Sequence, residues 1–226
     1  MRIVTWNVNS VTARLERVQA YLDRERPDVL CLQELKCVDE KFPESVFRER
    51  GYHVATFGQK TYNGVAIASL APLTDVQRGF GDDEPDSSAR FLGASIGRLR
   101  VYSAYVPNGE AVGSEKYTFK LRWYERLAHY FERAHSPSDD IVLCGDFNVA
   151  PDDRDVHDPD AWHERILCST PERAALAKVL AWGFRDTLRK HVSDGGVFSW
   201  WDYRNLGFPK NLGLRIDFVL ATVGPY

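Results

Sequence analysis

Short apolar runs alternate along this chain with stretches whose apolar residues recur every three or four positions, and that alternation restricts the fold more than any other feature. "RIVTWNV" (2–8) and "DVLCLQE" (28–34) read as buried strands. Between them, "SVTARLERVQAYLDRERPD" (10–28) places Val11, Leu15, Val18 and Leu22 on one helical face, with Ser10 to cap its start and Pro27 to mark its end. "NGVAIAS" (63–69), "ARFLGASIG" (89–97) and "LRVYSAYVPNG" (99–109) are further strands, the last two joined as a hairpin by a tight Gly-Arg turn. A long helix over 114–135 carries Tyr117, Leu121, Tyr124, Leu127 and Phe131 on one face. "IVLCGDFN" (141–148) is another strand. Thr170-Pro171 opens a helix that runs to Trp182, and "GLRIDFVLAT" (213–222) is the last strand. Strands joined both by hairpins and by helical crossovers predict mixed sheets in a layered α/β sandwich. At 226 residues, with no repeat or long linker, a single domain is expected.

A net charge of −3 counts against a protein that coats nucleic acid through bulk electrostatics. It leaves room for a nuclease, which needs carboxylates for metal and only a local basic rim. Cys31 and Cys144 lie inside apolar runs, and no pair of the four cysteines has the spacing of a thiolate zinc site. No apolar run is long enough to cross a bilayer, and Met1 leads directly into a strand without a secretory leader, which predicts a cytoplasmic protein.

Polar residues gather at the ends of the buried runs. Asn7 and Asn9 follow "IVTW", and Gln33-Glu34 follow "VLCL". Tyr105 and Asn108 leave "YSAYVPN", Asp146 and Asn148 leave "IVLCGDFN", and Asp217 lies within "LRIDFVL". Any one of them has a plain structural explanation as a turn, a cap or a core tyrosine. Together, carried on one rigid scaffold, such strand ends converge on a single cleft. Carboxylates with Asn amides, and no Cys or His cluster, suit a hard, oxygen-preferring ion such as Mg²⁺. With a phenol to meet developing charge and a carboxylate to orient or deprotonate water, the inventory fits metal-assisted phosphoester hydrolysis. The chain has no nucleotide-binding GxxxxGK[ST] loop and no GxSxG nucleophile elbow.

At these residues the chain resembles a known family. "TWNVNS" (5–10), "LCLQELK" (30–36), "AYVPNG" (104–109), "LCGDFNVAP" (143–151), "FSWWDYR" (198–204) and "GLRIDF" (213–218) are similar to the ordered motifs of the exonuclease III family of abasic-site endonucleases, within the endonuclease/exonuclease/phosphatase superfamily. The resemblance implies a four-layered sandwich, two mixed sheets face to face and flanked by helices. It implies Mg²⁺, with Mn²⁺ as a substitute, bound by Glu34 with Asn7, Asp146 and Asn148 close by. It further implies that Asp146 aligns or activates water, that Asn148 and Tyr105 hold the scissile phosphate, and that Asp217 orients a histidine. Trp200, Leu214 and Ile216 correspond to positions lining the family's pocket for an extruded abasic sugar, with Trp201 beside them. Asn108, Arg90, Lys116 and Lys120 are candidate DNA contacts. The expected partner is double-stranded DNA with abasic sites or blocked 3′ ends, met by a monomer with no membrane association.

The chain departs from the family pattern in one respect. The family ends with a strand introduced by an Asp-His pair, and here "ATVGPY" follows Asp217 without one. The single domain over 1–226 is therefore expected to be C-terminally incomplete. Recruitment of His191 or His157 is the substitute to test for. Two other functions stay open from sequence: a phosphoesterase acting on a non-DNA substrate, and a non-catalytic DNA-binding module.

Overall fold

The structure is a computed structural model that describes residues 1–82, 84, 88–202 and 206–226. Strands β1 (Ile3–Asn7), β2 (Val29–Gln33), β3 (His53–Phe57) and β4 (Val65–Ser69) form one sheet in the order β1-β2-β4-β3. Within it β1 and β2 are parallel and the other pairs antiparallel. The second sheet contains β5 (Thr74–Arg78), β6 (Phe91–Ile96), β7 (Leu99–Tyr105), β8 (Ile141–Asp146), β9 (Arg185–Asp186) and β12 (Asp217–Ala221), in the order β5-β6-β7-β8-β12-β9. Only its β7–β8 pair is parallel. A two-stranded ribbon joins β10 (Trp200–Trp201) to β11 (Gly213–Leu214). The helices are α1 (Leu15–Glu25), α2 (Glu44–Arg48), α3 (Glu115–Ala134), α4 (Pro159–Trp162) and α5 (Thr170–Ala181).

The expected four layers follow from how each strand divides its side chains. In β2, Val29 and Cys31 turn inward to meet Ala94, Val101 and Cys144 of the second sheet. Leu30 and Leu32 turn outward against Val18 and Leu22 of α1 and Phe47 of α2. Burial on both faces is why "VLCLQ" is apolar throughout and does not alternate. The outer face of the second sheet, including Tyr102 and Leu143, packs on Tyr124, Leu127 and Phe131 of α3 and Leu176 and Val179 of α5. Each fully buried Leu of this kind contributes about 1.5–3 kcal/mol.

Three local expectations change. Helix α1 starts at Leu15 and not near Ser10, because the chain after β1 keeps pairing with the segment after β2. Val8, Ser10 and Val11 donate their N–H groups to the carbonyls of Gln33, Glu34 and Leu35, and only turns follow before Leu15. The predicted strand over 213–222 is two pieces, Gly213–Leu214 in the ribbon and Asp217–Ala221 in the main sheet. In α3 the buried face runs through Tyr117, Lys120, Tyr124, Leu127 and Phe131, with Leu121 half-buried beside it.

Candidate active site

Parallel pairing in both sheets sends β1, β2, β7 and β8 out at one end of the sandwich, and β12 enters there. In the second sheet Tyr105 is paired with Asp146 and Asp146 with Asp217, so the three stand side by side. From the first sheet, Asn7 closes β1 and Glu34 follows β2, with φ +56 at Glu34. Gly145 lets β8 approach β7: a Cβ there would lie 1.9 Å from the Ala104 carbonyl oxygen, and its φ of +147 excludes other residues.

Asn7 joins the two sheets. Its Nδ2 donates to Glu34 Oε1 at 2.8 Å and to Asp146 Oδ2 at 2.9 Å, and its Oδ1 accepts from the Asn9 N–H at 3.0 Å. The Asn148 N–H donates to Asp146 Oδ1 at 2.9 Å. Burial pushes the Asp146 carboxyl up to about 6, with the nearby Glu34 charge raising it further against the hydrogen bonds from Asn7 and Asn148. Asp217 is pushed up by burial and by Asp146, with the Ser199 hydroxyl opposing. Burial also opposes ionisation of Glu34, but hydrogen bonds from Asn7 and Lys36 and the Lys36 charge prevail and hold its carboxyl below the usual range. Burial and the Glu34 charge raise the Tyr105 phenol, keeping it a proton donor at neutral pH.

These groups open into a cleft of about 390 Å³ walled by Trp6, Trp200, Trp201 and Phe208. A larger hollow of about 660 Å³ lies elsewhere, against Ile3, Leu99 and Val142, and holds none of this chemistry. The chain matches the Endonuclease/Exonuclease/phosphatase family over residues 4–225.

The protein belongs to that family.

It is 36% identical to exodeoxyribonuclease III of Haemophilus influenzae, over 98% of this chain and 88% of that protein. Among solved structures it resembles a 3′ phosphatase from Neisseria bound to a product DNA hairpin, with TM-score 0.94, 41% identity, and 99% and 87% of the two chains covered. An AP endonuclease from Archaeoglobus fulgidus gives TM-score 0.94 and 42% identity, over 98% of this chain and 86% of that one.

Most of the residues expected in this family member's site do converge there: Asn7, Glu34, Tyr105, Asp146, Asn148, Asp217 and Trp200 and Trp201. Asn108 joins them through its Nδ2, which donates to Asn148 Oδ1 at 3.1 Å. Other expectations are corrected. Lys120 cannot touch DNA, because it has no exposed surface and its ammonium is held by carbonyls and a carboxylate inside the protein. Leu214 and Ile216 are also covered, packed with Val156 and Leu167 behind Trp162 and Trp200, and do not line the cleft. Arg90 is drawn against Tyr105, its guanidinium 4.6 Å from the ring centre and its Nη1 donating to the Tyr105 carbonyl at 3.1 Å. Lys116 is exposed and paired with Glu110 at 2.9 Å. The last two residues of "FSWWDYR" lie outside the described residues.

As for the histidines, His157 Nδ1 lies 3.1 Å from the Gly213 carbonyl, and His157 does not line the cleft. His191 borders a hollow shared with Thr5 and Asp217. Sequence reasoning missed Lys36, whose ammonium lies 3.0 Å from Glu34 Oε2 and also meets Asn9 Oδ1. Its place in "LQELK", two residues after the carboxylate, was the available signal.

A divalent ion fits the residues present. Glu34 and Asp146 direct oxygens at a common point, now held by one amide, and repel each other. Among the described residues no group of three His, Cys, Asp or Glu forms a cage. Mg²⁺ characteristically takes one or two carboxylates and completes its shell with water and phosphate oxygens. Asn7 and Asn148, expected among the ligands, also meet neighbouring amides: the Asn7 oxygen accepts from the Asn9 N–H, and the Asn148 Oδ1 accepts from Asn108.

Proposed function

We propose that this protein is a DNA-repair nuclease that hydrolyses phosphodiesters 5′ to abasic sites and removes nucleotides or blocking groups from 3′ ends. The observation that carries the reading is the Asn7 bridge, which sets a buried carboxylate, Asp146, and a half-buried one, Glu34, from different sheets at the mouth of an aromatic-walled cleft. Relatives named for exodeoxyribonuclease, AP endonuclease and 3′-phosphatase activity support the same reading.

Glu34 and Asp146 would hold Mg²⁺, which when bound neutralises phosphate charge and promotes ionisation of water. The chain's own groups do the rest. Asp146 orients the attacking water and accepts its proton. Tyr105 donates a hydrogen bond to the phosphate as charge develops on it, and the Asn108–Asn148 pair fixes the phosphate's position. Asp217, beside Asp146, is placed to orient a cationic or imidazole partner. Trp200 and Trp201 form a wall that admits a sugar without a base more readily than an intact nucleotide, and an abasic nucleotide is cheap to extrude. Action as a monomer in the cytoplasm, on double-stranded DNA, belongs to this proposal. Among the described residues no helix is long and apolar enough to cross a membrane.

The test uses a duplex with one abasic site beside an intact duplex, a 3′-phosphate duplex and a phosphoinositide, each with Mg²⁺, Mn²⁺ or EDTA. Metal-dependent cleavage 5′ to the abasic site is expected. Preference for the phosphoinositide, or binding of abasic DNA without cleavage, would refute it.

A further inference from the structure

Lys120 has no exposed surface, and none of the roles assigned above uses it. Its ammonium donates to the Asn148 carbonyl at 2.5 Å, to the Asn108 carbonyl at 3.1 Å and to the Glu172 carboxylate. Glu172 is equally buried and is itself fixed. It accepts from the Ser169 N–H at 3.1 Å, the Ser169 hydroxyl at 2.6 Å and the Leu167 N–H at 3.1 Å, in the capping box that begins α5. One turn along α3 from Lys120, the Tyr124 hydroxyl donates to the Phe147 carbonyl at 2.6 Å. Helix α3 thus grips two successive carbonyls of the loop after β8, and the same ammonium also grips the loop after β7.

The consequence falls on the phosphate-facing amides. Asn148 sits at φ +49, a left-handed backbone that Asn adopts more readily than most residues. Its Nδ2 donates to the Val106 carbonyl at 2.9 Å, and its Oδ1 meets the Asn108 amide. If core stability were the only requirement, a well-packed apolar residue would serve about as well as a buried ion pair. An apolar residue would not hold the backbones of two separate loops to a single point.

We propose that Lys120, anchored by Glu172, is a positioning residue that sets Asn108 against Asn148 and so fixes how the two loops receive a phosphate. This rests on the phosphoester-hydrolysing function proposed above.

The double variant Lys120→Met/Glu172→Gln removes both charges while keeping side-chain length and an acceptor for Ser169. It is expected to fold with Tm within a few degrees of the unchanged protein. Turnover on an abasic duplex should fall about 10–100-fold with KM changed less than about threefold, as for misplacement of groups near the reacting atoms. The side-chain amide resonances of Asn108 and Asn148, read by NMR without DNA or metal, should shift. Lys120→Arg guards against a double variant that fails to fold. It keeps the charge against Glu172, but its longer, planar head group cannot place a donor at the one point where the ammonium meets two carbonyls and the carboxylate. It too should move both resonances and lower turnover more than Tm. Unmoved resonances and unchanged turnover in whichever variants fold would overturn the proposal. Because the resonances need no substrate, an unchanged protein that fails to cut DNA would sink the proposed function separately.

Discussion

Two clusters of charge, one buried and one half-buried, lie close together in this fold and are built on opposite plans. Asp155, wholly buried, faces Arg215 at 2.6 Å and also Arg189, and Arg215 reaches Asp186 at 2.7 Å. Positive and negative groups there compensate one another, and the cluster ties the loop after the Asp146 strand to β9 and to the break between β11 and β12. Glu34, Asp146 and Asp217 are like charges whose neighbours are mainly amides and hydroxyls, and two of the three carboxyls are driven upward. Lys36 lies against Glu34 on the outer side. The paired cluster is structural and self-contained. The unpaired one spends stability on a charge deficit that a cation and a phosphate together can fill.

Glu34→Gln tests the contrast most severely. Turnover should fall by about 10²–10⁴-fold while the urea midpoint falls only slightly, since the variant gives up the Lys36 pairing that holds the Glu34 carboxyl low but keeps an amide in its place. Arg215→Met should show the reverse pattern. Leaving Asp155 and Asp186 short of a partner inside the protein costs about 3–5 kcal/mol in urea unfolding, with turnover per folded molecule changed far less. If the two variants behaved alike, the distinction would collapse.

Asp146→Asn separates stability from pH. Because the folded carboxyl titrates near 6 and the unfolded one near 3.8, the folded protein holds the proton more tightly. That contribution is complete below about pH 4 and is lost as pH rises toward 6. At pH 7 the metal-free Asn variant should therefore be more stable than the unchanged protein by about 1–3 kcal/mol, with the gap closing on acidification. Added Mg²⁺ should raise the Tm of the unchanged protein and leave the variant's nearly still. On the surface, Lys116→Ala removes an exposed, solvent-screened pair with Glu110. Its stability should barely move, and salt titration of DNA binding should show a slope smaller by about one.

Much of this was legible in the chain. Doubly buried strands announce themselves as unbroken apolar runs, and polar residues at their exits, as in "GDFN", are conspicuous by contrast. What escaped depended on contacts far apart in sequence. Ser10 looks like a helix cap and does accept from the Ala13 N–H, but pairing of its own N–H with the Glu34 carbonyl and a left-handed backbone keep the helix proper from starting before Leu15. Nothing in "GLRIDF" shows that Arg215 is pulled from the strand by Asp155 and Asp186. Lys120 was partly readable: Tyr117, Lys120, Tyr124 and Leu127 step by three, four and three, the spacing of a buried face, and a lysine within it calls for a buried partner. That the partner would be Glu172 was not readable, since α5 is placed against α3 only by the completed core.

The Asn7 bridge has a mechanical side. One planar amide spans the seam between the sheets, so its two hydrogen bonds act as a gauge of how far one sheet has slid over the other. The seam itself sets small side chains such as Ala94, Cys31 and Cys144 among larger ones such as Ile67, Leu92 and Val101. An added methyl group there, far from any phosphate, would shift the gauge by a fraction of an ångström. The molecule would stay folded and lose its alignment, like a caliper whose jaws no longer close on the same line.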